Sequence, residues 1–212
     1  MCMHPCFLSA VYRDCSERSN PTLEIDSLDD DVDVTCFGDW NIIMQHRHDL
    51  DINGNWSTMR QGYNRLEHFD PADPPSNQLW LGNEAMYQLT SRYPYILRID
   101  MWTDEHTYEY AEYDGFSVAN EDDSYTLTLT NYRAGSAGPG GMVTYHSGKP
   151  FATADRDNGM QCSYDEDVAW WFMDDDDVVF DVSNGIPREV FEGKSQQIVV
   201  AACTYTYMSA CT

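Results

Sequence analysis

The chain has 212 residues, 42% hydrophobic and 13% aromatic, and carries a formal charge of −24 at pH 7. A chain of this length buries roughly 70% of its unfolded surface, and its aromatic content supplies a core, so disorder over most of the length is excluded. The charge excludes nucleic acid as a partner, because phosphates need Lys and Arg, and speaks against anionic membrane surfaces; most of the acids keep the protein soluble, while calcium, which takes carboxylate and carbonyl oxygens, is permitted.

Residues 1–13 read as an N-terminal tail containing Cys2 and Cys6, with a brief apolar stretch from Phe7 to Tyr12. This segment lacks the basic start and long apolar centre of a signal peptide, so a secreted product would be a mature or an incomplete form. No apolar run reaches the ~20 residues that span a bilayer. Seven cysteines, none in a Cys-x-x-Cys pair, point to an oxidising compartment, and the odd count leaves one thiol free or joined to another chain.

Alternation at Val32-Asp33-Val34-Thr35 predicts a strand, and Trp40 to Gln45 a buried one. Trp56, Met59, Tyr63 and Leu66 recur at helical spacing, which predicts a helix from Trp56 to Leu66 with Ser57 as its N-cap. A second helix is expected from Gly82-Asn83 through Leu89, stopping before Pro94. Tyr95 to Trp102 and Tyr108 to Tyr113 alternate like neighbouring antiparallel strands, and Ser124 to Leu129 predicts another. Gly135 to Gly141 is a glycine-rich break, the stretch to about Gly193 is loop-like with an acidic run from Asp174 to Asp177, and Gln196 to Met208 returns to strand character. The pattern is that of an α+β domain.

Three runs carry a resemblance: Trp80-Leu81-Gly82-Asn83-Glu84, Ala111 to Val118 with Tyr113-Asp114-Gly115-Phe116-Ser117, and Phe151 to Asn158 with Asp155-Arg156-Asp157. Together with Trp40 to Gln45, Trp56 to Tyr63 and His146, they resemble the fibrinogen C-terminal domain family, as in fibrinogen, ficolins, angiopoietins and tenascins. The resemblance covers about Asp14 to Trp171 and fades beyond, so residues 14–212 read as one fibrinogen C-terminal-like domain, degenerate after about 171. It implies a disulfide-clipped N-terminal subdomain, a central antiparallel sheet with flanking helices to which a C-terminal strand returns, and a loop-rich C-terminal subdomain. It also implies a disulfide between Cys15 and Cys36.

In the family the Asp-x-Asp pair binds calcium with help from two following carbonyls, which places a calcium site on Asp155, Asp157, Gly159 and Gln161. The loop from Asp157 to Cys162 is shorter than the family's, and a solvated acidic turn is the alternative. Cys162 keeps the family spacing to Trp170-Trp171, but the positions of its partner cysteine and of the pocket histidine hold Asp175 and Asp176. The inherited ligand pocket is therefore expected to be altered or absent, and Cys162 to pair with Cys203 or Cys211 or stay free. Trp170 and Trp171 can stack on a sugar, yet paired aromatics belong more often to a core.

Asp49 to Gly54 imitates the start of an EF-hand loop, but Arg60 stands where the bidentate glutamate belongs, so that reading is rejected. His46 and His48 share a strand face without further ligands and read as polar strand residues. Asn55-Trp56-Ser57 is a glycosylation sequon. Neither a Gly-x-Ser-x-Gly elbow, nor His-Glu-x-x-His, nor a phosphate loop occurs, so no enzyme is expected. The expected function is that of a secreted, calcium-supported, lectin-like recognition module for a carbohydrate or an extracellular protein, with disulfide-linked oligomers through Cys2 or Cys6. The alternatives are a structural or signalling interaction module whose pocket is lost, and a degenerate or incomplete family member.

Overall fold

The structure is a computed structural model and describes Cys15 and residues 22–23, 32–37, 40–47, 54–64, 79–103, 108–159, 169–172 and 195–204. The tail, Asp49 to Asn53, Gln161, Cys162, and Asp174 to Asp177 lie outside these residues, as do Cys2, Cys6, His48 and Cys211. Two short strands, β1 (Thr22–Leu23) and β2 (Val32–Asp33), pair with each other. Next come β3 (Cys36–Phe37), β4 (Trp40–Arg47), helix α1 (Trp56–Gln61), β5 (Tyr63–Asn64), β6 (Leu79–Trp80) and helix α2 (Asn83–Arg92). The chain continues as β7 (Tyr95–Thr103), β8 (Tyr108–Val118), β9 (Leu127–Thr128), β10 (Asn131–Gly135) and β11 (Ser195–Thr204).

Nine of these strands form one antiparallel sheet in the order β10-β8-β7-β11-β4-β6-β5, with β3 added to β4 and β9 to β8. The late strand β11 lies in its middle, pairing from Ser195↔Thr103 to Thr204↔Tyr95 on one side and from Gln197↔Arg47 to Ala202↔Asn41 on the other. This is the returning strand that the resemblance implies. Cys15 and Cys36 are disulfide-bonded with Cα atoms 5.7 Å apart, and the Cys15 N–H donates to the Asn41 side chain at the start of β4.

Period-two alternation sorts the sheet's faces. Leu97 and Ile99 on β7, with Ala111 and Tyr113 on β8, point into the core that α2 covers with Ala85, Met86 and Leu89. The opposite face holds Arg98, whose Nε reaches both oxygens of the fully buried Asp100 at 3.0 Å and whose Nη1 reaches Glu112 at 2.6 Å. Burial raises the Asp100 carboxyl above its ordinary value, opposed by the Tyr108 hydroxyl and the Arg98 guanidinium. Tyr108 is itself pushed up to about 12 by burial and by its hydrogen bond to Asp100.

Three expectations need correction. Helix α1 stops at Gln61 rather than Leu66, and its N-cap is Asn55, whose Oδ1 accepts from the Thr58 N–H at 2.9 Å, rather than Ser57. The stop is steric: Gly62 takes φ +87°, and a Cβ there would lie 2.4 Å from the Leu81 carbonyl. Only glycine lets the end of α1 approach the β6–α2 junction so closely. Third, the strand expected from Ser124 to Leu129 is confined to Leu127–Thr128, because Ser124 and Tyr125 turn through left-handed conformations at φ 51° and 49°. Tyr125, Leu127 and Leu129, which alternate along this segment, are nonetheless all buried.

Candidate functional site

After β10 the chain makes a single wide turn at Met142–His146 and enters the segment carrying the aspartate pair. Phe151 anchors this segment: it is fully buried, with its ring centroid 4.9 Å from that of Trp171 and 5.6 Å from that of Trp80. Ala152 and Trp170 exchange backbone hydrogen bonds of 2.9 and 3.1 Å. Trp170 and Trp171 are each only 4% exposed, and the Trp171 Nε1–H donates to the Tyr125 carbonyl at 2.8 Å. They are core residues, as paired aromatics usually are.

From this base the chain folds into a tight turn. The Thr153 and Arg156 backbones exchange two hydrogen bonds of 3.0 Å, which pushes Ala154 and Asp155 outward. Asp155 Oδ1 accepts from the Thr153 hydroxyl and from the Trp56 N–H at the start of α1, both at 2.8 Å. Asp157 Oδ1 accepts from the Gly159 N–H at 3.0 Å. Asn158 adopts φ +48° and donates its Nδ2–H to the Phe151 carbonyl at 2.5 Å, closing the turn on its anchor. Both aspartates are exposed. Among the described residues every hydrogen bond they accept falls on Oδ1, and neither Oδ2 takes one.

The residue between the aspartates faces elsewhere. Arg156 lies over the Trp56 ring at 3.7 Å from its centroid, reaches Ser124 Oγ at 3.2 Å and lies 3.7 Å from Glu121. Glu121 joins three parts of the chain, since its Oε1 also accepts from the Trp56 Nε1–H at 2.7 Å and its Oε2 from Arg60 Nε at 3.0 Å. Arg60, the residue that speaks against an EF-hand, is thus a partner of Glu121, and Tyr125 and Glu121 raise its pKa against the lowering effect of burial. Tyr125 stacks on Trp56 at 5.6 Å and donates its hydroxyl to the buried Glu84 at 2.8 Å.

His146 is buried, its ring edge-on to that of Trp170. Its Nδ1–H donates to the Trp171 carbonyl at 2.7 Å, and among the described residues its Nε2 has no hydrogen-bond partner. Burial lowers its pKa below the ordinary value, the bond to Trp171 opposes that, and Lys149 adds to the lowering.

The structure therefore brings together Asp155, Asp157 and Gly159, while Gln161 lies outside the described residues. Among the described residues no three His, Cys, Asp or Glu side chains converge as a metal cage, so a cation at the turn would depend on carbonyl oxygens as well. Asn55 is exposed at the N-cap of α1. Sequence reasoning did not reach Glu121 or the role of Arg156. Glu121 meets Trp56 across 65 residues, and no local period encodes that pairing.

The chain matches the family described as "Fibrinogen beta and gamma chains, C-terminal globular domain" over residues 15–180. It is 34% identical to the fibrinogen gamma chain of Petromyzon marinus over 149 residues, which covers 62% of this chain and 33% of that one. The chain thus spans about a third of that relative. In structure it is similar to the fibrinogen-like globe domain of human ANGPTL2, with a TM-score of 0.69 and 24% identity, covering 92% of this chain and 100% of that one. It is also similar to a lamprey fibrin D-dimer complexed with the peptide ligand Gly-His-Arg-Pro-amide, with a TM-score of 0.64 and 23% identity, covering 85% of this chain and 67% of that one.

Proposed function

The chain belongs to the fibrinogen C-terminal domain family, and from that premise we propose that it is an extracellular recognition module, calcium-supported, which takes a carbohydrate or protein ligand through the region after Gly141. The observation that carries this reading is the turn at Thr153–Gly159. Its two exposed carboxylates are fixed through Oδ1 and, among the described residues, keep Oδ2 without a hydrogen bond, on a segment anchored in the buried aromatic core. Such oxygens suit a hard divalent cation. Asp155 and Asp157 would hold the ion through carboxylate oxygens, with the Gly159 and Gln161 carbonyls beside them. Bound calcium would supply a fixed positive charge that keeps the following loop in place.

The remaining features support the same setting. The Cys15–Cys36 disulfide fits an oxidising, extracellular compartment, where Cys2 or Cys6 would join chains. No helix among the described residues is long and apolar enough to cross a membrane. Asn55 is exposed and is the proposed site of an N-linked glycan. A bound peptide is known for the lamprey fibrin D-dimer, and a short peptide or acetylated sugar is the ligand class to try first. The protein acts by binding, not by catalysis.

Calcium titration followed by thermal unfolding tests the metal. The midpoint is expected to rise at millimolar calcium in wild type and to stay put in Asp157→Ala; an unchanged wild-type midpoint removes calcium from the reading. Asp175 and Asp176, where the family has cysteine and histidine, favour a second reading in which the pocket is lost and the sheet side serves protein contacts. A glycan array with and without EDTA separates the two, since EDTA-sensitive binding to acetylated sugars supports only the first.

A further inference from the structure

The aspartate turn is held by groups that are not themselves calcium ligands. We propose that Glu121 and Arg156, clasped around Trp56, are positioning residues that hold the Thr153–Gly159 turn in its liganding shape before any cation arrives. This rests on the reading of Asp155 and Asp157 as calcium ligands. Five contacts carry it. The Trp56 backbone N–H fixes Asp155 Oδ1 at 2.8 Å. The Trp56 ring is fixed in turn by Glu121 through Nε1 at 2.7 Å. Arg156, the side chain between the two ligand aspartates, lies over that ring at 3.7 Å from its centroid. Glu121 lies 3.7 Å from Arg156 and is itself tied to Arg60 at 3.0 Å.

The clasp does two physical jobs. It orients one ligand aspartate through the peptide of Trp56, and it keeps the Arg156 cation on an aromatic face and near a carboxylate. A turn that is already formed binds with its intrinsic affinity, whereas a turn formed only part of the time binds more weakly by that fraction. Trp56, Arg60, Glu121 and Arg156 therefore set the affinity of a site they do not line.

Hydrogen exchange of the whole chain in EDTA, read by mass spectrometry on peptides covering 153–159, tests the clasp without the metal. In Glu121→Gln and Arg156→Lys the Thr153 and Arg156 amides are expected to exchange about tenfold faster, with the β7–β8 amides unchanged. Calorimetric titration is expected to show calcium bound about fivefold more weakly in both variants. Asp157→Ala is expected to lose calcium while those two amides stay slow. Unchanged exchange in both variants overturns the clasp, and so does faster exchange with wild-type calcium affinity. Should Glu121→Gln melt globally, Arg156→Lys decides. A wild type that binds no calcium overturns the metal reading, and the clasp then stands or falls on the exchange rates alone.

Discussion

Two arginines in this molecule have the same kinds of partner in opposite settings. Arg98 on β7 lies 4.1 Å from the centroid of the Tyr110 ring, and Arg156 lies 3.7 Å from that of Trp56; each also approaches carboxylates. Around Arg98 the acid is sealed: Asp100 has no exposed side-chain surface, and Arg98 and Tyr108 engage its oxygens. Around Arg156 the acids are open, with Glu121 39% exposed and the neighbouring aspartates facing solvent. A satisfied, buried network fixes strand register, whereas an open one with unused oxygens has capacity left for a ligand.

The contrast breaks first at Arg98. Arg98→Ala leaves Asp100 buried without its cation, and urea denaturation is expected to show a loss of about 3–5 kcal/mol. A loss under about 1 kcal/mol would mean that the sealed network is no more than a surface ion pair. Tyr125→Phe is the intermediate case, because it removes the hydroxyl bonded to the buried Glu84 and is expected to cost about 1.5–3 kcal/mol.

His146 sharpens the comparison through pH. Its folded pKa lies below the ordinary 6.5, so the unfolded chain takes up the proton first as pH falls. Its contribution is complete above about pH 6.5 and is lost as pH drops below it. Denaturation midpoints between pH 7 and 5 are expected to fall less steeply in His146→Gln than in wild type, and parallel profiles would count against a buried neutral imidazole. The smallest effect belongs to Arg156→Ala, expected to cost about 1–1.5 kcal/mol by the same urea measurement, since its pairing is half-exposed.

How much of this was legible in the sequence depended on distance along the chain. Strands β4, β7, β8 and β11 declare themselves through apolar runs or period two, and α2 through its spacing before Pro94. By contrast, β10 carries no such signal: it is an edge strand without a buried residue, so no alternation marks it. The early stop of α1 was hidden because it comes from the closeness of Gly62 to Leu81, a contact between separate segments. The aspartates were visible as a local motif. The groups that brace them were not, because Trp56, Glu121 and Arg156 come from three distant stretches.

The central place of β11 bears on the order in which the protein can be made. A ribosome delivers β4 and β7 long before residues 195–204, and at ~5–20 residues per second the interval is on the order of 5–20 s. Until then the two strands that β11 will join each present an unfilled edge, the kind of surface that pairs with other chains. Cotranslational assembly of this sheet must therefore pause with a gap at its centre. Any product that terminates before Ser195 leaves that gap permanent, and the cell's quality control would meet it as two half-sheets rather than as a shortened domain.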